Sequence, residues 1–184
     1  MNKFIDKKNH LQWIKSNDLN IEEKAKISQE VNSWKSEDIS RFICENQPLD
    51  DFLTNLTKNY FKTLPPNEIL FYCFEDKDLI GALLLGHSRS APHNYFIDYF
   101  AVNPNICRKG YASRMIKSII SNPEYFNNGT LPTSYHSNVA VPNVASSRVF
   151  IKNKFRIVSK VASKTFPYYE YFYTLSPKAL DKTL

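Results

Sequence analysis

The sequence predicts a mixed α/β fold of the α+β class, in a single domain over residues 1–184 with helices on both faces of a central sheet. Three observations predict it. The chain has 184 residues, 42% hydrophobic and 23% charged, which is enough for one well-filled core and short for two domains. Apolar residues recur with a helical period in some segments and with a strand period in others. The predicted order β-α-α-β-β-β-α-β-α-β-β favours a sheet covered on both sides.

The first third of the chain contributes one strand and two helices. Residues 11–15 alternate apolar and polar side chains, as a half-buried strand does. Asn20 and Glu23 have the spacing of a capping box that starts the first helix. The second helix ends before Pro65 and Pro66, because proline lacks the N–H that a helix needs. The apolar residues at helical spacing are Ile27, Val31 and Trp34 in the first helix and Leu49, Phe52, Leu53, Leu56 and Tyr60 in the second.

From residue 68 onward most of the apolar pattern has the period of strands. Residues 68–74 and 79–86 are predicted to form a hairpin around a tight turn. A helix at 110–121 carries its apolar side chains on one side, and Pro123 ends it. A second helix is predicted at 143–153. The remaining strands are predicted at 95–102, 134–140, 156–162 and 168–175, which makes about seven strands in all.

Composition excludes several classes of protein. The first residues lack the apolar core of a signal peptide, and no apolar run approaches the roughly 20 residues of a membrane span. Three cysteines and four histidines are scattered without paired ligand spacing. We therefore expect a cytoplasmic protein with reduced cysteines, no metal site and no membrane partner. The net charge is −2 over residues 1–92 and +8 over residues 93–184, which suits a phosphate-bearing ligand, a nucleic acid, an acidic partner or a solvated face.

The segment at 95–121 joins a buried strand to a helix through a short basic loop. The first N–H groups of a helix have no partner within it, and the helix dipole adds partial positive charge there, so such a terminus can hold a pyrophosphate. Gly110 and Ala112 would let phosphate oxygens approach the backbone, and Arg108 and Lys109 would supply positive charge. The alternative is a plain strand–helix connection with a solvated Arg-Lys pair.

The residues from Val102 to Ile116 resemble the CoA-pyrophosphate motif of GNAT acetyltransferases. That motif reads (Gln/Arg)-x-x-Gly-x-(Gly/Ala) after a strand that ends in Val-x-Pro, and Cys107 stands here in place of its first residue. The resemblance implies a GNAT-like fold with a mostly antiparallel, splayed sheet, and acetyl-CoA as co-substrate. It implies that acetyl-CoA contacts Phe100, Ala101, Val102, Arg108, Lys109, Gly110, Tyr111, Ala112, Ser113 and Asn143.

A second segment, residues 138–155, resembles the later strand–helix unit of the same family. Asn143 would bond near the pantetheine arm, and it is equally suited to cap the helix that follows. The tyrosine that protonates the departing thiolate in many members is replaced by Phe150. A glycine before Phe155 is replaced by Lys154, so the left-handed helix end falls to Asn153 or to a strained Lys154.

Acyl transfer to an amine needs a proton acceptor, and Asp98 is the only acid in the apolar run 95–102. Its position resembles that of a catalytic glutamate in some family members, and aromatic surroundings would raise the pKa of its carboxyl. The alternative is an aspartate on a solvated face. Water is the default proton donor to the thiolate. The side-chain candidates for that proton donor are Tyr135, His136, Tyr169 and Tyr171, and His136 could serve as the base instead.

The resemblance implies an N-acetyltransferase that moves an acetyl group from acetyl-CoA directly to a primary amine of a small-molecule or peptide acceptor. Two alternatives stay open: a catalytically silent acyl-CoA-binding regulatory module, and an acetyltransferase acting on an amine of the aminoacyl-tRNA type. We expect an amine-bearing acceptor as partner, and a homodimer. The acceptor site is predicted to be built from residues 20–65, Ser88–Asn94 and Ser163–Tyr173, including Phe166, Tyr168 and Tyr169.

Overall fold

A computed structural model describes residues 3–34, 64–87, 89–162 and 169–176. Within these ranges there are eight strands and four helices. The predicted second helix at 49–60 lies outside the described residues. In chain order the elements are β1 (Phe4–Asp6), β2 (Leu11–Lys15), α1 (Ile21–Ser33), β3 (Glu68–Glu75), β4 (Asp78–His87), β5 (Asn94–Val102), α2 (Tyr111–Ser121), α3 (Pro123–Phe126), β6 (Ser134–Ala140), α4 (Val144–Lys152), β7 (Arg156–Ala162) and β8 (Tyr169–Leu175).

The eight strands form one open sheet in the order β1-β2-β3-β4-β5-β6-β8-β7. Every neighbouring pair is antiparallel except β5 and β6, which are parallel. Their pairing starts at Asn94 and ends where Phe96 meets His136, so the last six residues of β5 have no ladder partner on β6. The predicted splayed, mostly antiparallel sheet is therefore confirmed. β1 was not predicted, because three residues are too few to show a period.

Helices cover both faces of the sheet, as predicted. On one face, Met115, Ile116 and Ile119 of α2 join the larger apolar core together with Phe150 of α4. On the other face, Ile27 and Val31 of α1 pack in a second core against β3 and β4. None of the described helices is long and apolar enough to cross a membrane.

The predicted start of α1 is confirmed in detail. Asn20 accepts a hydrogen bond from the backbone N–H of Glu23, and the Glu23 carboxylate accepts one from the backbone N–H of Asn20, both at 2.9 Å. This reciprocal pair satisfies two N–H groups that the helix itself cannot use. The local sequence was sufficient to predict it because both partners lie within one turn.

A buried polar cluster ties α2 to the first hairpin of the sheet. Ser118 donates to the Asp6 carboxylate and accepts from the indole N–H of Trp13 at 2.9 Å, and Asn9 also donates to Asp6 at 2.8 Å. Burial opposes ionisation of Asp6, but the hydrogen bonds from Ser118 and Asn9 outweigh it and hold its pKa below the ordinary value. The cluster thus holds the helix that carries the predicted phosphate site against the sheet.

Candidate active site

A cleft of about 710 Å³ opens where β5 leaves β6, between the end of β5 and the starts of α2 and α4. Because the two strands separate after Phe96, space for a ligand appears between them. Its lining residues are Trp34, Phe100, Ala101, Val102, Pro104, Ile106, Cys107, Arg108, Gly110, Tyr111, Ala112, Ser113, Asn143, Ala145, Ser146, Arg148, Val149 and Lys152.

The start of α2 faces this cleft without a side-chain cap. Its N-cap residue is Gly110, in the left-handed conformation with φ of 84°, and no side chain accepts a hydrogen bond from the first turn. The first intrahelical bond to the cap runs from Arg114 N to Gly110 O at 3.1 Å. The N–H groups of Tyr111, Ala112 and Ser113 precede that bond, so they remain available to an anion at the positive end of the helix.

The first turn of α2 is held from outside the cleft by an ion pair. Arg114 Nη2 lies 2.7 Å from Glu75 Oε1 and also donates to the backbone carbonyl oxygens of Asn9 and His10. The Tyr111 hydroxyl donates to the other oxygen of Glu75. The hydrogen bonds from Tyr111 and Arg114 lower the pKa of Glu75 below its ordinary value. This arrangement orients Tyr111, whose other atoms line the cleft.

Asn143 combines both roles that the sequence left open. It is the N-cap of α4, and its side-chain oxygen accepts a hydrogen bond from Ser146 N at 3.0 Å. It also lines the cleft. Capping uses one lone pair of this oxygen and none of the amide hydrogens, so a ligand can still bond to the side chain.

Two cations of α4 were missed by the sequence analysis. Arg148 and Lys152 line the cleft at helical spacing i and i+4, which places them on one face of α4. No carboxylate of the described residues lies within ion-pair distance of either. The spacing of the two residues was visible in the sequence. It did not show that this face of α4 lies against the cleft, because a basic pair on a helix is usually exposed to solvent.

The two departures from the family pattern have different outcomes. Phe150 is 2% exposed and packs edge-on against Phe155 at 5.0 Å and nearly parallel to Tyr173 at 5.5 Å, so its ring belongs to the core. Lys154 itself takes the left-handed position after α4, with φ of 70°, while Asn153 stays at −94°. Of the two predicted alternatives, the strained lysine is the one observed.

The structure brings most of the predicted cofactor residues to one place. Lys109 is exposed and does not line the cleft. All the others do: Phe100, Ala101, Val102, Arg108, Gly110, Tyr111, Ala112, Ser113 and Asn143. They come from three separate segments of the chain, the end of β5 and the starts of α2 and α4, which only the folded sheet brings together.

Asp98 is the extra residue of a β-bulge in β5. Leu84 pairs with Tyr99 and Leu85 with Ile97, so Asp98 has no partner on β4. The bulge turns its side chain across Gly86: a Cβ built on Gly86 would lie 2.5 Å from Asp98 Oδ2. Asp98 lies two residues before Phe100, the first residue of β5 to line the cleft, or about 6 Å along the strand.

The surroundings of Asp98 favour its protonated form. The residue is exposed at the sheet surface, so water reaches one side of it, but the protein shields the carboxylate on its other sides. This desolvation, with a contribution from the negative charge of Glu68, raises the pKa of Asp98 to about 7. A carboxylate that titrates near neutral pH can take a proton from an amine and release it again to water.

None of the four predicted side-chain acids lines the cleft in the part of the chain described. Tyr135 is buried, and its hydroxyl accepts from Asn127 at 3.1 Å. Tyr169 is exposed beneath Lys160, and Tyr171 packs against the core. His136 has Ser134 Oγ 2.6 Å from its Nε2 atom and stacks on Phe172, and burial lowers its pKa.

Parts of the predicted acceptor site fall outside the described residues, namely 35–63, Ser88 and 163–168, with Phe166 and Tyr168 among them. In the ranges that are described, no group of three or more His, Cys, Asp or Glu side chains is placed to hold a metal ion.

Comparison with known families gives one match. The model of the acetyltransferase (GNAT) family matches residues 31–155, about two thirds of the chain. No curated protein sequence matches it.

Solved structures share the fold at low identity. The aminoglycoside N(6')acetyltransferase of Legionella pneumophila has a TM-score of 0.69 and 16% identity, over 95% of this chain and 96% of that one. The spermidine N-acetyltransferase of Vibrio cholerae in complex with CoA and spermine has a TM-score of 0.63 and 15% identity, over 92% and 96%. The Campylobacter jejuni N-acetyltransferase PseH has a TM-score of 0.56 and 17% identity, over 90% and 97%. At these identities the similarity shows the fold alone.

Proposed function

Because the chain belongs to the GNAT acetyltransferase family, we propose that it transfers an acetyl group from acetyl-CoA directly to a primary amine of a small-molecule or peptide acceptor. The observation that carries the proposal is the uncapped start of α2, which faces a cleft lined by backbone and cations. A site of that kind fits a pyrophosphate linked to a long, partly apolar arm.

The residues present fit acetyl-CoA in both charge and shape. The N–H groups of residues 111–113 would hold the pyrophosphate, with Arg108 beside them, since Gly110 leaves open space there: a Cβ at its position would have no atom within 4 Å. Arg148 and Lys152 would hold the remaining phosphate. Asn143 would bond to the amide-bearing arm.

The splayed end of β5 would bind the acyl carbonyl. Residues 99–102 pair with β4 on one side only, because β6 has diverged. In a strand, alternate N–H groups point to opposite edges, so this free edge offers a fixed donor to an oxygen that gains negative charge. Donors of this kind need no rearrangement during the reaction, which makes them effective in acyl transfer.

Asp98 would accept the proton of the acceptor amine. A protonated amine, R–NH₃⁺, transfers one proton to the Asp98 carboxylate and becomes R–NH₂, whose lone pair is then free. Acetyl-CoA supplies the activated acetyl group: the amine nitrogen bonds to its carbonyl carbon, the carbon–sulfur bond breaks and the thiolate leaves. The nitrogen, which still carries two hydrogens when it bonds to the carbonyl carbon, loses one of them to water as the amide forms, and Asp98 returns its own proton to water. Water also protonates the thiolate, since none of the predicted acids lines the cleft in the described ranges.

A second candidate function is a catalytically silent acyl-CoA-binding module. It is favoured by the burial of Phe150 in the core, where the family often has its acid. The two candidates share the cleft and differ only in turnover.

Thermal unfolding with and without saturating acetyl-CoA tests the shared part, with NAD and ATP as controls. At about 100 times its dissociation constant a ligand stabilises by about 2.7 kcal/mol, so we expect the melting temperature to rise with acetyl-CoA alone. Equal melting temperatures in a folded protein would contradict both candidates. Thiol release with a panel of primary amines then separates them. Strongly salt-dependent RNA binding would instead point to an amine carried on a nucleic acid.

A further inference from the structure

One cross-strand row brings chemically active side chains together on the α1 face of the sheet. Glu68 of β3 pairs with Gly86 of β4, Gly86 pairs with Phe96 of β5, and Phe96 pairs with His136 of β6. Residues directly opposite each other in a sheet point to the same face. The bulge adds Asp98 to this row, since it directs its carboxylate over Gly86.

Gly86 leaves room for the Asp98 carboxylate beside the Glu68 side chain. The position that a Cβ of residue 86 would take lies 2.5 Å from Asp98 Oδ2 and 3.5 Å from Glu68 Cγ. Both acidic side chains therefore reach over the same bare backbone from opposite sides. Any side chain at residue 86 would separate them or force one of them away.

Neither acid has a cation as partner among the described residues. Glu68 Oε2 is buried, and no donor in the described ranges reaches it. The charged or titratable groups of the row are Glu68 itself and, beyond Phe96, His136; β4 contributes only Gly86. On the helix that covers this face, Glu30 is a further titratable group, and burial first and the negative charge of Asp78 second raise its pKa. Two carboxylates left together in this way cannot both ionise cheaply.

We propose that Glu68 and Asp98 form a carboxylate pair over Gly86, coupled through their charges, that together holds one proton, so that Glu68 sets the pH at which Asp98 becomes a base. Glu68 is then a positioning residue for the proton of the reaction. The coupling is a property of the folded chain alone; its use in acetyl transfer rests on the proposed function.

The proton balance follows directly. The resting pair carries one proton, mainly on Asp98, and one negative charge. Loss of that proton to water leaves Asp98 ready as a base and the pair with two negative charges, which attract an ammonium group. The amine then returns one proton to Asp98 and restores the resting pair. In such a pair the apparent titration midpoints belong to both groups together.

The test is an NMR titration of side-chain carboxyl carbons in the 184-residue chain, comparing wild type with Glu68→Gln, Asp98→Asn and the control Asp78→Asn. Two like charges about 6 Å apart, at the dielectric constant typical of a protein surface, interact enough to move a midpoint by about two pH units. We expect Glu68→Gln to lower the Asp98 midpoint by about that much, Asp98→Asn to lower the Glu68 midpoint equally, and Asp78→Asn to change neither.

An Asp98 midpoint that stays the same in Glu68→Gln would overturn the pair. So would an equal shift in Asp78→Asn, because a general field of the protein would then explain it. The proposed function is judged separately, by acetyl transfer in Asp98→Asn. If the midpoints move as expected but Asp98→Asn keeps full turnover, the pair stands and the base role of Asp98 is wrong.

Discussion

The Asp98 carboxylate occupies the space in which a side chain at Gly86 would begin, with 2.5 Å between Asp98 Oδ2 and the position of a Cβ on Gly86. Contacts this short do not occur between a real Cβ and an oxygen. Gly86 and Asp98 therefore depend on each other: the bulge can aim the carboxylate inward over the sheet only because its neighbour on β4 has no side chain.

Gly86→Ala should displace this carboxylate. A displacement of about 1 Å at a reacting group can cost on the order of 100-fold in rate, so we expect a fall of that size in turnover with little change in acetyl-CoA affinity. Steady-state kinetics and calorimetric binding would measure both. In an Asp98→Asn background the same substitution should cost little more, because the displaced group is already inactive. Full additivity would contradict the coupling.

Turnover should depend on pH through Asp98. Only its ionised form accepts a proton, so the rate should rise as pH increases through about 7. Asp98→Asn should remove this limb of the profile and lower the rate by about 100-fold or more. Initial rates between pH 5 and 9 with a fixed amine and saturating acetyl-CoA would check this. A profile with the same limb in Asp98→Asn would assign it to another group.

The contribution of Asp98 to the free energy of unfolding should depend on pH in the opposite direction to turnover. The pKa of Asp98 is raised in the folded protein, so between the unfolded value of about 4 and about 7 the folded state holds a proton that the unfolded chain has lost. Stability from this group therefore falls as pH rises through that window. In denaturant titrations, the free energy of unfolding of Asp98→Asn should increase relative to that of wild type from pH 4 to pH 8. A constant difference would indicate an ordinary surface carboxylate.

Gly129 is a matched control for Gly110 in a test of the phosphate site. Both have positive φ, 84° and 80°, with open space where a Cβ would lie. Alanine at either position should cost about 1 kcal/mol in folding free energy, because its Cβ disfavours that backbone conformation. Only Gly110→Ala should also weaken acetyl-CoA binding, since only Gly110 starts α2 at the cleft. Equal affinities of the two variants for acetyl-CoA would show that the phosphate does not bind at the start of α2.

Arg148 and Lys152 should bind the phosphate that CoA carries beyond its pyrophosphate. Alanine at either residue should weaken CoA binding about five-fold, which corresponds to about 1 kcal/mol for an exposed ion pair. The same substitutions should hardly affect dephospho-CoA. Lys117→Ala, which removes an exposed charge of α2 outside the cleft, is the control. Equal losses for CoA and dephospho-CoA would place the cations elsewhere on the ligand.

Cytoplasmic location, a homodimer and a primary amine on a small-molecule or peptide acceptor stay predictions. The fold by itself leaves the acceptor open, because the same scaffold holds sites for different amines.

Local interactions are what the sequence by itself determined. The capping box of Asn20 and Glu23, the loop that leads from β5 into α2 at Gly110, and the cap at Asn143 each involve residues within a few positions of one another. Their geometry follows from backbone conformation and short-range hydrogen bonds. The family, the splayed sheet and helices on both faces were therefore predictable from the pattern and the motif.

Only the tertiary structure decided which distant residues meet. Asp98 could be singled out as an acid in an apolar strand, but its bulge, the bare Gly86 beneath it and the approach of Glu68 from 30 positions earlier depend on the register of three strands. Burial is equally non-local: it placed Phe150 in the core and turned Arg148 and Lys152 to the cleft. The sequence determines which side chains are present, but the pKa and the partner of each group depend on the neighbours that folding brings to it.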